Sequence, residues 1–233
     1  MSLSSTVVLD VAYPMVVEAL RPEAATPALA DYYAVDGHYP GALFLELGPF
    51  DNHAITSGDL VAIAMLGVRI TPRAVRLLLH PCATRSEITR LLDEESLSFD
   101  DDLRFATPEL LRTMEELHTL FSQVLANDDF SPPDAHFGAS ALCARKRPDL
   151  FPLTELQVLR QLGVASTRRE RLDVWRLFRD LLDEDSIRHA IDVAEDRART
   201  HPGVRFEGCL RRLRHLDVAV AMHVRAIGLN RTS

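Results

Sequence analysis

The sequence predicts an all-α protein of about nine or ten helices arranged in two lobes. Three observations predict it. Apolar residues recur at the spacing of one helical face in almost every segment, threonine and proline starts precede those segments, and strand-type alternation is sparse. Only "TVVLDVA" and "ALFLEL" suit short N-terminal strands, and either also suits a helix.

The elements follow in order. "TSGDLVAIAMLGV" sets Thr56 and Asp59 in a capping-box arrangement before an apolar run. "TPRAVRLLLHP" opens on Thr71 and stops before Pro81, and "TRSEITRLLDEE" reads as a short amphipathic helix after Thr84. "TPELLRTMEELHTLFSQVLAN" has Thr107 as N-cap, Pro108 at the first helical position and apolar residues at 110, 111, 114, 117, 121, 124 and 125. The acidic stretch Asp93 to Asp102 reads as a loop.

"PDAHFGASALCARKR" reads as a helix that Pro148 ends, because proline keeps the preceding residue out of helical geometry. "PLTELQVLRQLG" is a short helix closed by Gly163. The next helix places Val174, Trp175, Phe178, Leu181 and Leu182 on one face, which makes Trp175 a core residue. "DSIRHAIDVAEDRART" runs to the Pro202-Gly203 break, and the last helix buries Cys209, Leu213, Leu216, Val220, Val224 and Ile227.

The composition excludes several classes. With 233 residues, 47% hydrophobic and 26% charged, the chain suits one good core or two small helical lobes and is too hydrophobic for disorder. No run approaches the about 18 apolar residues of a membrane span, so no membrane partner is expected. The first twenty residues lack a basic start and carry Asp10 and Glu18, so no signal peptide is read and a cytoplasmic location is the expectation. Cys82, Cys143 and Cys209 are far apart and form no CxxC, which leaves buried free thiols. The histidines form no HxxxH or HExxH pattern and read as ordinary surface or core residues, so neither a metal nor a cofactor is expected.

Charge is divided unevenly. Up to His136 there are 8 arginines against 21 acids; from Phe137 onward there are 18 basic residues against 13 acids. The paired prolines of "ANDDFSPPD" (Ala126 to Asp134) suggest a boundary, giving an acidic lobe over 1–128 and a basic lobe over 129–233. The basic lobe suits DNA as a partner, and a protein partner or mutual attraction of the two halves suits the same charges.

Five basic residues are the candidate phosphate contacts: Arg145, Lys146 and Arg147, consecutive before a proline, and Arg168 and Arg169 on a helix whose polar side also carries Arg171, Arg176 and Arg179. Charge complementing a helix C-terminus, or a contact with a buried acid, accounts for the first three equally well. Three consecutive positions also point to different faces, so at most two can serve one site.

Asp217 stands before Val218, Ala219, Val220, Ala221 and Met222, so its carboxylate is expected to be buried and to need a partner. Arg214, one turn earlier, or an arginine of the 145–147 run would supply it. Glu155 stands in the first turn after Pro152, where an acid suits a helix N-terminus. Glu155 and Asp217 are the candidate catalytic acids.

The stretches "ASALCARKRPDLFPLTELQV" and "LRHLDVAVAM" resemble an uncharacterised bacterial family, a domain of unknown function, with a Ser-Lys-Leu-Leu-Ala-Arg-Lys-Arg-Pro-x-Leu-Ile-Pro-Val-x-Asp signature and a late Leu-Arg-x-Leu-Asp-Val helix. "YYAVDGHYPGALFLELG" and "NHAITSGDLVAIAMLGVRITPRAVRLLL" resemble its N-terminal Tyr-x-Gly-x-x-Phe-Glu and Ile-Thr-x-x-Asp-Leu-Val-Ala blocks, so the resemblance covers roughly Tyr32 to Arg225.

That signature in turn is similar to the helix-hairpin-helix DNA glycosylases. The similarity implies a hairpin whose amides hold a phosphate and an acid placed at a flipped base. Here Ala141 stands where the signature has lysine, Glu155 where it has aspartate, and Gly138 alone remains of a Gly-x-Gly. The resemblance therefore implies a nucleic-acid-associated protein with impaired or absent excision chemistry. A non-catalytic protein-interaction module and a small-molecule enzyme with a pocket between the lobes are the alternatives.

Overall fold

Threonine hydroxyls open three of the helices where the sequence places them. Thr56 accepts from Asp59 N and completes a capping box before α4 (Ser57–Ala64). Thr71 accepts from Ala74 N at the start of α5 (Pro72–Leu79), and Thr107 from Leu110 N at the start of α7 (Pro108–Leu125). The seven apolar positions read along α7 are all buried.

The computed structural model describes residues 5–126, 132–153, 155–164, 168–206 and 211–230. Among the described residues there are twelve α-helices and two short 3-10 helices, η1 (Glu95–Leu97) and η2 (Leu103–Phe105), and no strand. Both segments that suited strands are helical. "TVVLDVA" lies within α1 (Ser5–Ala19), and "ALFLEL" spans α3 (Leu43–Glu46). The remaining helices are α2 (Pro22–Tyr32), α6 (Ala83–Leu92), α8 (Pro132–Lys146), α9 (Leu156–Gln161), α10 (Arg168–Asp183), α11 (Asp185–Arg199) and α12 (Arg212–Asn230). No described helix is long and apolar enough to cross a membrane.

The chain divides into two compact units, Met1–Gly41 with Thr154–Ser233, and Ala42–Leu153. This division does not coincide with lobes over 1–128 and 129–233. Helices α7 and α8, which flank that expected boundary, pack along each other within the second unit. The centre of "ANDDFSPPD", residues 127–131, lies outside the described residues.

The first unit packs α2 on α11 and α12, and α1 on α10. Trp175, Phe178, Ile191, Leu216 and Val220 are buried there, as the helical spacing requires. Cys209 lies outside the described residues. The second unit packs α8 between α7 and α4. Gly138, the remnant of a phosphate-holding turn in the glycosylase comparison, instead lies inside α8. A Cβ on it would come within 2.9 Å of Leu125 Cδ1 and 3.0 Å of Val68 Cγ1, so its role is close helix packing.

Candidate functional site

The basic run occupies the last turn of α8 and the residue after it, and all three side chains are interior: Arg145 and Lys146 are 0% exposed and Arg147 2%. Arg145 Nε donates to Asp59 Oδ1 at 3.1 Å, and its two terminal nitrogens donate to the Phe44 and Leu47 carbonyls at the end of α3. Lys146 Nζ pairs with Asp59 Oδ2 and donates to the Asp51 carbonyl at 2.8 Å. Phe50 lies against both cations, 5.0 Å from the Arg145 guanidinium carbon and 4.7 Å from Lys146 Nζ. Arg147 turns away from Asp59. It donates to the Leu97 carbonyl at 2.7 Å, the Asn52 carbonyl at 3.0 Å and the Leu92 carbonyl at 2.6 Å.

Four of these acceptors share a property. Leu92 ends α6, Leu97 ends η1, and Phe44 and Leu47 close α3, so the cations add donors at helix ends. The run is a hub that caps three helix ends and anchors the loop from Gly48 to Asn52. Burial lowers the proton affinity of all three cations below the ordinary values; Asp59 opposes that shift for Arg145 and Lys146, and Asp101 and Asp93 oppose it for Arg147.

The hub narrows two readings that the sequence left open. The three side chains are enclosed by protein acceptors rather than placed to meet phosphate at a surface. The acid that faces them is Asp59, not Asp217. Thr56 holds that acid in place, since its backbone N–H donates to Asp59 Oδ2 at 2.8 Å, while its hydroxyl donates to the Pro49 carbonyl at 2.6 Å.

The two candidate acids belong to the first unit, and a chain of contacts runs between them. Glu155, at the N-cap of α9, pairs with Arg225 of α12. Arg225 lies over the Tyr39 ring at 5.6 Å, and Tyr39 stacks on Tyr32 with centroids 5.6 Å apart. Arg214 donates to the Tyr32 hydroxyl, lies over its ring at 5.4 Å, and sits 3.8 Å from Asp217 Oδ2. Asp217 is 3% exposed and Arg214 is its partner one turn earlier, as the sequence suggested. Glu155 and Arg225 keep 35% and 42% of their side-chain surface open. Burial alone would lower the Arg225 guanidinium, but Glu155 and Tyr39 together hold it above its ordinary value. Gly41 (φ +53) turns the chain beyond Tyr39 so closely that a Cβ would meet the Tyr32 carbonyl at 3.0 Å.

Beside this chain lies a second buried set. His215 Nδ1 is 3.1 Å from Glu195 Oε2, Arg199 donates to Glu195 Oε1, and the Tyr33 and Phe206 rings meet the imidazole edge-on. Arg168 and Arg169 open α10, and their side chains lie outside the described residues. No group of three or more metal-ligating side chains occurs among the described residues.

Asp59, Tyr32 and Tyr39 were not singled out as site residues from the sequence. Asp59 carried the same signal as Asp217, an acid inside an apolar helix. Its role as an N-cap partner accounted for it and concealed its second task.

The model of one family, described as a family of unknown function (DUF6308), matches residues 25–224. The chain belongs to that family. The matched span of this DUF6308 chain takes in the basic hub and both candidate acids, Glu155 and Asp217, and ends one residue before Arg225. No curated protein and no solved structure matches it.

Proposed function

We propose that this DUF6308 protein associates with nucleic acid through its first unit, and that it binds an unpaired base without excising it. The observation that carries the reading is the part-exposed trio Tyr39, Arg225 and Glu155. An aromatic ring offers a stacking face, a guanidinium offers a phosphate contact, and a carboxylate accepts from a base edge. Glu155 also stands where the glycosylase resemblance expects its acid. Its ion pair with Arg225 engages the carboxylate as an acceptor, which argues for binding over proton abstraction.

Electrostatics supports the reading less than the sequence suggested. From Phe137 onward the chain has 18 basic residues against 13 acids, and among the described residues four of those cations and two of those acids are interior. The excess left outside them is +3, so stacking rather than bulk charge has to supply the affinity. Arg168 and Arg169 remain the proposed phosphate contacts of α10.

Fluorescence anisotropy with a labelled single-stranded oligonucleotide and its duplex, at low and moderate salt, tests this. Tyr39→Ala is expected to weaken single-strand binding by about 1–3 kcal/mol, the worth of one stacked base. Arg168→Ala with Arg169→Ala reduces the salt slope by about 0.7 per lost phosphate contact. No binding of either oligonucleotide at low salt removes the reading.

A second reading, a non-catalytic helical module, is favoured by the basic hub. The residues of the signature stretch that drew attention to chemistry are consumed there in capping helix ends.

A further inference from the structure

A hydrogen-bonded series of serines and histidines joins α7 to α8 in the second unit and shares no residue with the basic hub. His118 on α7 is 1% exposed, and its Nε2 lies 3.0 Å from Oγ of part-exposed Ser140 on α8. His118 Nδ1 lies 3.3 Å from Ser122 Oγ, one turn along the same helix. His136 Nδ1 approaches the same oxygen at 3.3 Å.

The Ser122 hydroxyl fixes the direction of this series. It has one proton, and the main-chain carbonyl of His118, 2.9 Å away, receives it. The oxygen is then an acceptor toward His118 Nδ1, which places the imidazole proton on Nδ1. His118 Nε2 is left with its lone pair toward Ser140, so the Ser140 hydroxyl donates to it. A serine oxygen, a neutral imidazole acceptor and a third group that sets the tautomer make the arrangement that activates a nucleophilic serine. Here a hydroxyl takes the place that a carboxylate holds in a triad.

We propose that Ser140 is an activated nucleophile with His118 as its base, and that it takes an acyl group from small activated esters. In that step the Ser140 O–H proton passes to His118 Nε2 while Oγ bonds to the ester carbonyl carbon. The bond from that carbon to the leaving oxygen breaks, and the leaving oxygen collects the proton from Nε2. The products are acyl-Ser140 and an alcohol, and no oxidant or further reactant is needed. Ser140 is part-exposed, whereas Ser122 is only 9% exposed and spends its proton inside α7.

A fluorophosphonate probe on the full-length protein, read by peptide mass spectrometry, tests the proposal. There Oγ bonds to phosphorus and fluoride leaves. The expected result is labelling of Ser140, abolished in Ser140→Ala and slowed about a hundredfold in His118→Gln, the loss typical of removing a general base. Should His118→Gln fail to fold, Ser122→Ala serves. It removes the acceptor that sets the tautomer without touching the base, and is expected to slow labelling about tenfold. Absence of Ser140 labelling in folded protein, under conditions that fully label a serine-hydrolase control, overturns the proposal and leaves the series as a clamp between α7 and α8. Equal labelling rates in wild type and in the folded His118 or Ser122 variants overturn it as well.

Discussion

Asp59 and Arg145 lie 86 positions apart in sequence, and Asp59 Oδ1 accepts from Arg145 Nε at 3.1 Å with neither side chain exposed to solvent. Lys146 shares the same carboxylate. One acid therefore answers two buried cations, and carbonyl dipoles at helix ends and in the loop from Gly48 to Asn52 answer the rest. This converts what reads as a charged patch into the interior of the second unit.

Removing Asp59 is expected to be costly. In Asp59→Asn two buried cations lose the full negative charge that they share. The expected destabilisation is about 3–5 kcal/mol, the range for breaking a buried ion pair from one side. Urea denaturation followed by circular dichroism measures it, and a loss under about 1 kcal/mol would mean the carbonyls alone hold the cations.

Arg147→Lys tests the fork rather than the charge. Nε and both terminal nitrogens of Arg147 serve three chain segments at once, and an ammonium on a single stem cannot reach all three. With buried carbonyls left unanswered, a loss of about 3 kcal/mol is expected. Equal midpoints for the variant and the wild type would show that position 147 needs only a positive charge.

Gly58→Ala tests how tightly the anchored loop lies on α4. A Cβ at 58 would stand 2.7 Å from the Pro49 carbonyl oxygen and 2.9 Å from that of Leu47, both main-chain atoms. Alanine's helix preference, about 1 kcal/mol over glycine, favours the substitution. The clash outweighs it, because the Leu47 carbonyl is held by Arg145 and cannot retreat freely. A lower thermal midpoint is expected; a raised one would show that the loop can lift off α4.

Glu195 gives a pH-dependent prediction in the first unit. Burial pushes its carboxyl up, but His215 and Arg199 together hold it below the ordinary glutamate range. Between the folded and unfolded values the unfolded chain binds more protons, so stability rises with pH there. The contribution is present above about 4.3, the ordinary glutamate value, and is lost as pH falls through the lower folded value. The stability gap between wild type and Glu195→Gln should therefore narrow in acid. A gap that is constant across the acid range contradicts the ion pair.

The helices were legible because their starts and faces are local. Thr56, Thr71 and Thr107 each cap by a bond to the residue three positions on, and the buried face of α7 follows from spacing alone. Helix α2 was not read as such, because its alanines and two prolines carry little amphipathic signal. The two short segments that suited strands could not be separated from helix by pattern, since four to seven apolar-rich residues fit both periods.

The hub and the Glu155–Asp217 chain depend on contacts far apart in sequence. Nothing local to Arg147 names the Leu92 and Leu97 carbonyls, and nothing local to Glu155 names Arg225, 70 positions away. The Arg214–Asp217 pair was legible because it lies within one helical turn. The Ser140–His118 contact was not, because its partners sit on separate helices with no shared motif.

Lys146 is the only lysine in the sequence, which makes the interior position of the basic run directly measurable. Native protein treated with an amine-acylating reagent, digested and followed by mass spectrometry reports on that one side chain. The enclosed ammonium is expected to stay unmodified while the protein is folded, and to react at the rate of a free lysine once denaturant unfolds it. Reaction of Lys146 in the folded protein as fast as in the unfolded chain would place the run at the surface and contradict the hub.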